Sequence, residues 1–205
     1  MTPPRNGRHD RDRVVDTALL VLDRDGLADL SMRRLAAELD VQPSALYWHV
    51  QNKQELLAAV ADRILERVPL PPDAPAADPE ERLLSAARSI RDALLAYRDG
   101  AEVVLSTAAL RLGGTRAHEV LSRALGDRPG AGVAATAVLQ FVLGHTTLVQ
   151  QGMHAESHGA AFFEDDPVAS DTVFAAAIGM MARGFRTSAD PAAAPGRDSA
   201  APARR

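Results

Sequence analysis

Apolar positions recur with a helical period along most of the chain. Between Asp10 and Asp25, Val15, Ala18, Leu19 and Leu22 form one stripe, and Gly26 supplies a natural stop. Ser31 is placed to cap a second helix through Leu39, with Leu35, Ala36 and Leu39 facing inward. After a break at Asp40-Val41-Gln42, Pro43 suits the first turn of a third, short helix over 43–49, where its missing N–H is not needed. Asn52 followed by Glu55 has the spacing of a capping box and opens a fourth helix to about Val68, with Leu56, Leu57, Val60 and Ile64 as its stripe. The pattern then predicts helices over roughly 79–98, 102–112, 115–126, 130–152 and 168–186. Runs of alternating β-branched residues are missing, so the predicted fold is all-α.

The stretches without a period divide the chain. Residues 69–79, PLPPDAPAADP, hold five prolines and read as a linker, and Asp78-Pro79-Glu80-Glu81 then reads as a helix start with a cap and acids in the first turn. Residues 1–9 are expected to be a flexible arm, 153–167 a loop, and 187–205 a disordered tail. What remains is a small helical head over 10–68 and a larger helical body over 80–186.

Composition narrows the chemistry. There is no Cys, which excludes disulfides and Cys-based zinc sites. The polar N-terminus lacks the apolar core of a secretory signal, so a cytoplasmic protein is expected. Net charge is −4, and residues 1–68 carry ten Lys/Arg against eleven Asp/Glu. Any nucleic-acid contact must therefore rest on where charge is placed. The span 129–155 has no Asp, Glu, Lys or Arg and is long enough to cross a bilayer. Thr136, Gln140, His145, Thr146, Thr147, Gln150 and Gln151 interrupt it, which fits a helix buried in the protein or at a subunit interface, not in a membrane.

The chain has eight aromatic rings of Trp, Tyr and Phe, and two of them, Tyr47 and Trp48, are adjacent, with His49 next. Successive helix positions point about 100° apart, so one core cannot bury all three. Leu46 and Val50 can share the inner face, and at least two of the three rings must project outward as a contact surface. A helix, a three-residue turn and a second short helix make a helix-turn-helix unit, whose second helix enters the major groove of DNA. Pro43, Ser44 and Ala45 are small enough for thymine methyls and one hydroxyl hydrogen bond. Tyr47 and His49 can donate to phosphates, Arg33 can reach a guanine or a phosphate, and Lys53 adds its charge to the start of the fourth helix.

No nucleophile–base spacing, phosphate loop or HExxH motif points to an enzyme. The competing readings are an all-α small-molecule carrier and an adaptor that uses the Tyr-Trp-His surface on a protein. His154 and His158 flank Glu156 in HAESH, a spacing that could bind a metal on a helix, but Gly152 and Gly159 favour a solvated loop.

The stretch LSMRRLAAELDVQPSALYWHVQNKQELL closely resembles the DNA-binding head of the tetracycline-repressor family of bacterial transcription regulators, above all in LAAEL, ALYWHV and NKQELL. ALLAYRDGAEVVLST (93–107), QFVLG (140–144) and RGF (183–185) resemble the family's ligand-binding body. The resemblance implies a three-helix DNA-binding head joined by a fourth helix to a helical-bundle body. It assigns DNA contacts to Arg33, Pro43, Ser44, Ala45, Tyr47, Trp48, His49 and Lys53. Asp40 stands where the family often has Gly, and Asp tolerates a left-handed turn better than most residues. The resemblance also implies a homodimer built on the uncharged span 130–152 and on 170–186, a near-palindromic double-stranded operator, and release by a small molecule. The His and Glu with which the family's founding repressor grips a magnesium chelate correspond to Val104 and to Leu148 or Val149, and a neighbouring Arg corresponds to Ala108. A more apolar effector is therefore expected, with no magnesium and no cofactor. Its candidate pocket is Val104, Thr107, Leu121, Gln140, His145 and Leu148, with His118 as a further polar handle.

Overall fold

The computed structural model describes residues 6–71, 78–157 and 171–189. Every regular element among them is a helix: α1 (Asn6–Asp25), α2 (Met32–Glu38), α3 (Pro43–Leu46), α4 (Lys53–Glu66), α5 (Pro79–Leu95), α6 (Gly100–Ala109), α7 (Thr115–Leu125), α8 (Ala131–Ser157) and α9 (Asp171–Ala189). The all-α architecture is the expected one, a helix-turn-helix head on a helical body.

In the head, the stripe of α1 is buried at Val14, Val15, Ala18, Leu19 and Leu22 against Leu30, Leu35, Ala36, Leu46, Val50, Leu56 and Val60. Ser31 caps α2, its side chain accepting from the Arg34 N–H. α2 ends in a Schellman turn: the Val41 N–H donates to the Ala36 carbonyl at 3.0 Å and the Asp40 N–H to that of Ala37 at 3.2 Å, with Asp40 left-handed at φ 54°. Asp thus does the work more often given to Gly there.

Several boundaries differ from those expected. α1 begins at Asn6, so residues 6–9 of the expected arm are helical, because adding turns to an existing helix needs no new nucleus. The third helix keeps α geometry only to Leu46 and continues as tight turns, with the His49 N–H on the Leu46 carbonyl at 2.9 Å. Asp78 precedes Pro79 at the start of α5 but makes no side-chain capping bond. α8 runs to Ser157, through the first residues of the expected loop, and the start of the expected tail, 187–189, belongs to α9. The rest of that loop and tail lies outside the described residues.

α4 carries the head to the body, packing on α1 at one side and on α6 at the other. The turn between α6 and α7 presses against it. A Cβ at Gly113 (φ 67°) would lie 2.9 Å from the Ala58 carbonyl, and the Gly114 N–H donates to Asp62 Oδ1 at 2.6 Å. In the body, α5 packs against α6, α7, α8 and α9. Its Leu83, Ala87, Ile90 and Leu94 are buried with Val104, Leu121, Val142 and Phe174.

Two side chains lock α8 to the turn between α5 and α6. Gln150, buried, accepts from the Ala101 N–H at 3.0 Å and donates to the carbonyls of Tyr97 (2.8 Å) and Leu94 (3.3 Å). Asp99, left-handed at φ 55°, accepts from the Leu27 N–H at 2.8 Å and faces His154 Nδ1 at 3.3 Å. One carboxylate therefore touches the head, the α5–α6 turn and the end of α8.

Candidate nucleic-acid interface

The interface is built on a rigid foundation. Leu46 and Val50 are buried, which fixes the backbone between them and turns the intervening rings outward. Trp48 is 89% exposed, Tyr47 52%, and His49 is half-buried, in line with the expectation that at least two would project. An indole left almost wholly in water has no structural reason to be there. Pro43 and Ser44 are exposed and Ala45 half-buried on the turn before them. Beside this, Asn52 Oδ1 accepts from the Glu55 N–H at 2.8 Å, while Glu55 reaches back to the Gln51 N–H at 2.7 Å, one residue before the cap. Lys53 is thereby held at the first position of α4, where backbone N–H groups and the helix dipole favour an anion.

The charges of the head sort themselves by location. Arg24 pairs with Asp25 and Glu38, and Arg34 with the same two at 3.1 and 3.4 Å. The Arg24 guanidinium, with Arg34 adding, holds the Asp25 carboxyl below its ordinary value. Arg63 gathers Asp12, Asp16 and Glu66, and Arg11 lies 3.5 Å from Glu55. Arg67 sits over the Tyr97 ring at 5.4 Å. Arg33 and Lys53 have no acidic partner among the described residues, and neither does Arg13. The two that sequence reasoning assigned to DNA are thus among the cations left available for an external anion.

The candidate pocket is less coherent. Val104, Thr107, Leu121 and His145 are buried, but Gln140 and Leu148 (57% exposed) lie on the outward face of α8 and do not join them. Thr107 spends its hydroxyl on the Val104 carbonyl at 3.0 Å. His145 packs against Phe174 and Phe141, at 5.0 and 5.7 Å between ring centroids. Burial, with Arg91 adding, holds its imidazole below the usual histidine value. Arg91 in turn lies 4.4 Å over Phe174 and pairs with Asp171 at 2.8 Å. His118 joins α7 to α8, with Nε2 at 3.2 Å from both the Gly132 carbonyl and Thr136 Oγ1.

Sequence reasoning missed a cavity of about 460 Å³ lined by Leu83, Leu125, Ala134, Val138, Met181 and Phe185. These residues come from four helices, so no local pattern announces it. Of HAESH, His154 is helical and faces Asp99, Glu156 is exposed, and His158 is outside the described residues. No group of three or more metal-ligating side chains occurs among the described residues.

Comparison with known proteins bears on both halves. Residues 14–60 match the family model for bacterial regulatory proteins of the tetR family, and residues 71–178 that for tetracyclin repressor-like C-terminal domains. The chain is 44% identical to the Escherichia coli tetracycline repressor protein class D over 103 residues, 49% of this chain and 46% of that protein. That match therefore spans about half the length of the relative. Among solved structures, it resembles BioQ with its double-stranded DNA operator (35% identity, TM-score 0.67, 85% of this chain and 96% of that one). It also resembles a TetR variant from Acinetobacter baumannii AYE in complex with minocycline (33% identity, TM-score 0.70, 87% and 97%). With its helix-turn-helix head and its helical body both matched, the chain belongs to the tetR family of bacterial regulatory proteins.

Proposed function

We propose that this protein is a sequence-specific transcriptional regulator, a cytoplasmic homodimer that represses by holding a near-palindromic double-stranded operator and is released by a small apolar effector. The observation that carries the reading is the exposed Tyr47-Trp48 pair on a backbone pinned by Leu46 and Val50, together with the cations Arg33 and Lys53, which have no acidic partner among the described residues. Pro43, Ser44 and Ala45 approach base edges, while Tyr47, Trp48, His49 and Lys53 position the head on the sugar–phosphate backbone. Residues 10–68 form the DNA-binding unit, 69–79 the linker and 80–186 the effector and dimer unit.

The dimer reading is supported by the outer faces of α8 and α9. They expose Val133 (77%), Leu148 (57%) and Met180 (66%), and α8 carries no Asp, Glu, Lys or Arg before Glu156. Helix α8 is also long and apolar enough to cross a membrane, and we assign its apolar face to the second subunit instead. Val104, Thr107, Leu121 and His145 supply the inner wall proposed for the effector, and Gln140 and Leu148 its outer rim in the dimer. The cavity beneath α8 shares none of these residues, and its apolar lining makes it a second place for an effector with little charge. Occupancy of the body changes head spacing through α6 and the Gly113-Gly114 turn, which bears directly on α4.

The test is a gel-shift titration at two salt concentrations, using DNA selected from a random library by the full chain. Tight, salt-sensitive and selective binding that a Tyr47→Ala/Lys53→Ala double variant loses is the expected result. Failure of the selection to enrich any sequence would overturn the regulator reading.

A further inference from the structure

Among the cations of the head whose side chains are described, those paired with carboxylates or a ring are Arg11, Arg24, Arg34, Arg63 and Arg67. The unpaired set is Arg13, Arg33 and Lys53. Two members of that set already have a place in the proposed interface. Arg13 does not, and nothing in the α1 sequence singles it out from the basic residues around it.

Its position does. Arg13 is exposed on α1, and its side chain lines one groove with Val41, Ala45 and His49, residues of the turn and the recognition segment. Arg11, half a turn earlier, reaches Glu55 in the first turn of α4, beside Lys53. Arg13 therefore lies beside the turn and the recognition segment, while Arg11, on another face of α1, meets the start of α4. An exposed guanidinium with no carboxylate in its groove is free to meet an outside anion. Asp12, its sequence neighbour, is already taken by Arg63.

We infer that Arg13 is a further DNA-binding residue, which donates to a backbone phosphate at the edge of the half-site and so makes α1 a third contacting element beside α3 and α4. The inference rests on the regulator reading proposed above. Because the contact is to a phosphate, it adds affinity and salt sensitivity without sequence preference.

The experiment uses the full chain and the DNA selected above, with binding measured by fluorescence anisotropy across a salt series. Wild type is compared with Arg13→Gln, with the charge-conserving Arg13→Lys, and with Arg123→Gln, which removes a body cation paired to Glu119. One phosphate contact contributes about 0.9 to the slope of log affinity against log salt, so two copies in a dimer contribute about 1.8. Arg13→Gln is expected to lower the slope by about that amount, so that a fourfold rise in salt weakens it about 12-fold less than wild type. Arg13→Lys should restore most of the slope, Arg123→Gln should not change it, and the selected sequence should be the same for all. A wild-type slope in Arg13→Gln overturns the inference and leaves the regulator standing. A changed sequence preference overturns the phosphate role, and absence of selective binding by wild type overturns both readings together.

Discussion

Gln150 offers the sharpest test of how the body is held together. Its side chain is 7% exposed and occupies the junction where α5 ends and α6 begins. Such ends leave backbone groups without intrahelical partners. The Ala101 N–H and the Leu94 carbonyl each find theirs in Gln150, at 3.0 and 3.3 Å, whereas the Tyr97 carbonyl also receives the Gly100 N–H at 3.1 Å. Gln150→Leu keeps much of the volume and removes every polar atom, so two buried groups lose their partners and a third keeps one. Stranding a buried donor or acceptor costs about 1–3 kcal/mol, which puts the variant about 2–6 kcal/mol below wild type. For a chain of this size, about 3 kcal/mol corresponds to a fall of about 6–12 °C in Tm. The assay is a thermal melt followed by circular dichroism at fixed protein concentration, since the proposed dimer would melt in a concentration-dependent way. Amide exchange at Ala101 should accelerate in the same variant. A melt within about 2 °C of wild type would refute the claim that Gln150 satisfies this junction, because an effect that small lies below the range worked out above.

Trp48→Ala should leave stability within about 0.5 kcal/mol of wild type in a denaturant titration, because the ring is 89% exposed, yet abolish selective DNA binding in a gel shift. Gly100→Ala should destabilise by about 1–3 kcal/mol in the same titration, since its Cβ would run into the Leu94 carbonyl, which is backbone and cannot swing aside. His145 is held below the usual histidine value by burial, so the unfolded chain takes up its proton first as pH falls. Stability at this position is therefore full above the ordinary value of about 6.5 and declines as pH drops below it. His145→Phe should flatten the acid limb of a stability–pH curve, and an unchanged limb would exclude this histidine as its source.

The parts of the fold that were legible in the sequence are those set by neighbours along the chain. Ser31 and Asn52 mark the starts of α2 and α4 because each accepts from an N–H three residues on. Leu46 and Val50 turn inward because they are four apart. The end of α3 was not legible, since the residues after Leu46 keep helix-like backbone and differ only in which carbonyl they bond. The reach of α8 past Gly152 was hidden for another reason. A Gly inside a helix costs about 1 kcal/mol, but Gln150 and His154, either side of it, are anchored on backbone and side-chain groups some fifty residues away. The rings and Lys53 of the interface could be read from their types and spacing. Arg13 could not, because what distinguishes it from Arg11 and Arg24 is that it forms no ion pair among the described residues.

Residues 1–68 carry ten basic against eleven acidic residues, and most of the described cations there are quenched internally. Attachment to arbitrary DNA depends on counterions released by free cations, and the described part of this head has few to offer. In the regulator proposed above, such a head is expected to leave random sequence after brief visits and to find its target more by repeated three-dimensional encounters than by long travel along the duplex. Genomic DNA would then compete only weakly with the operator for this proposed regulator.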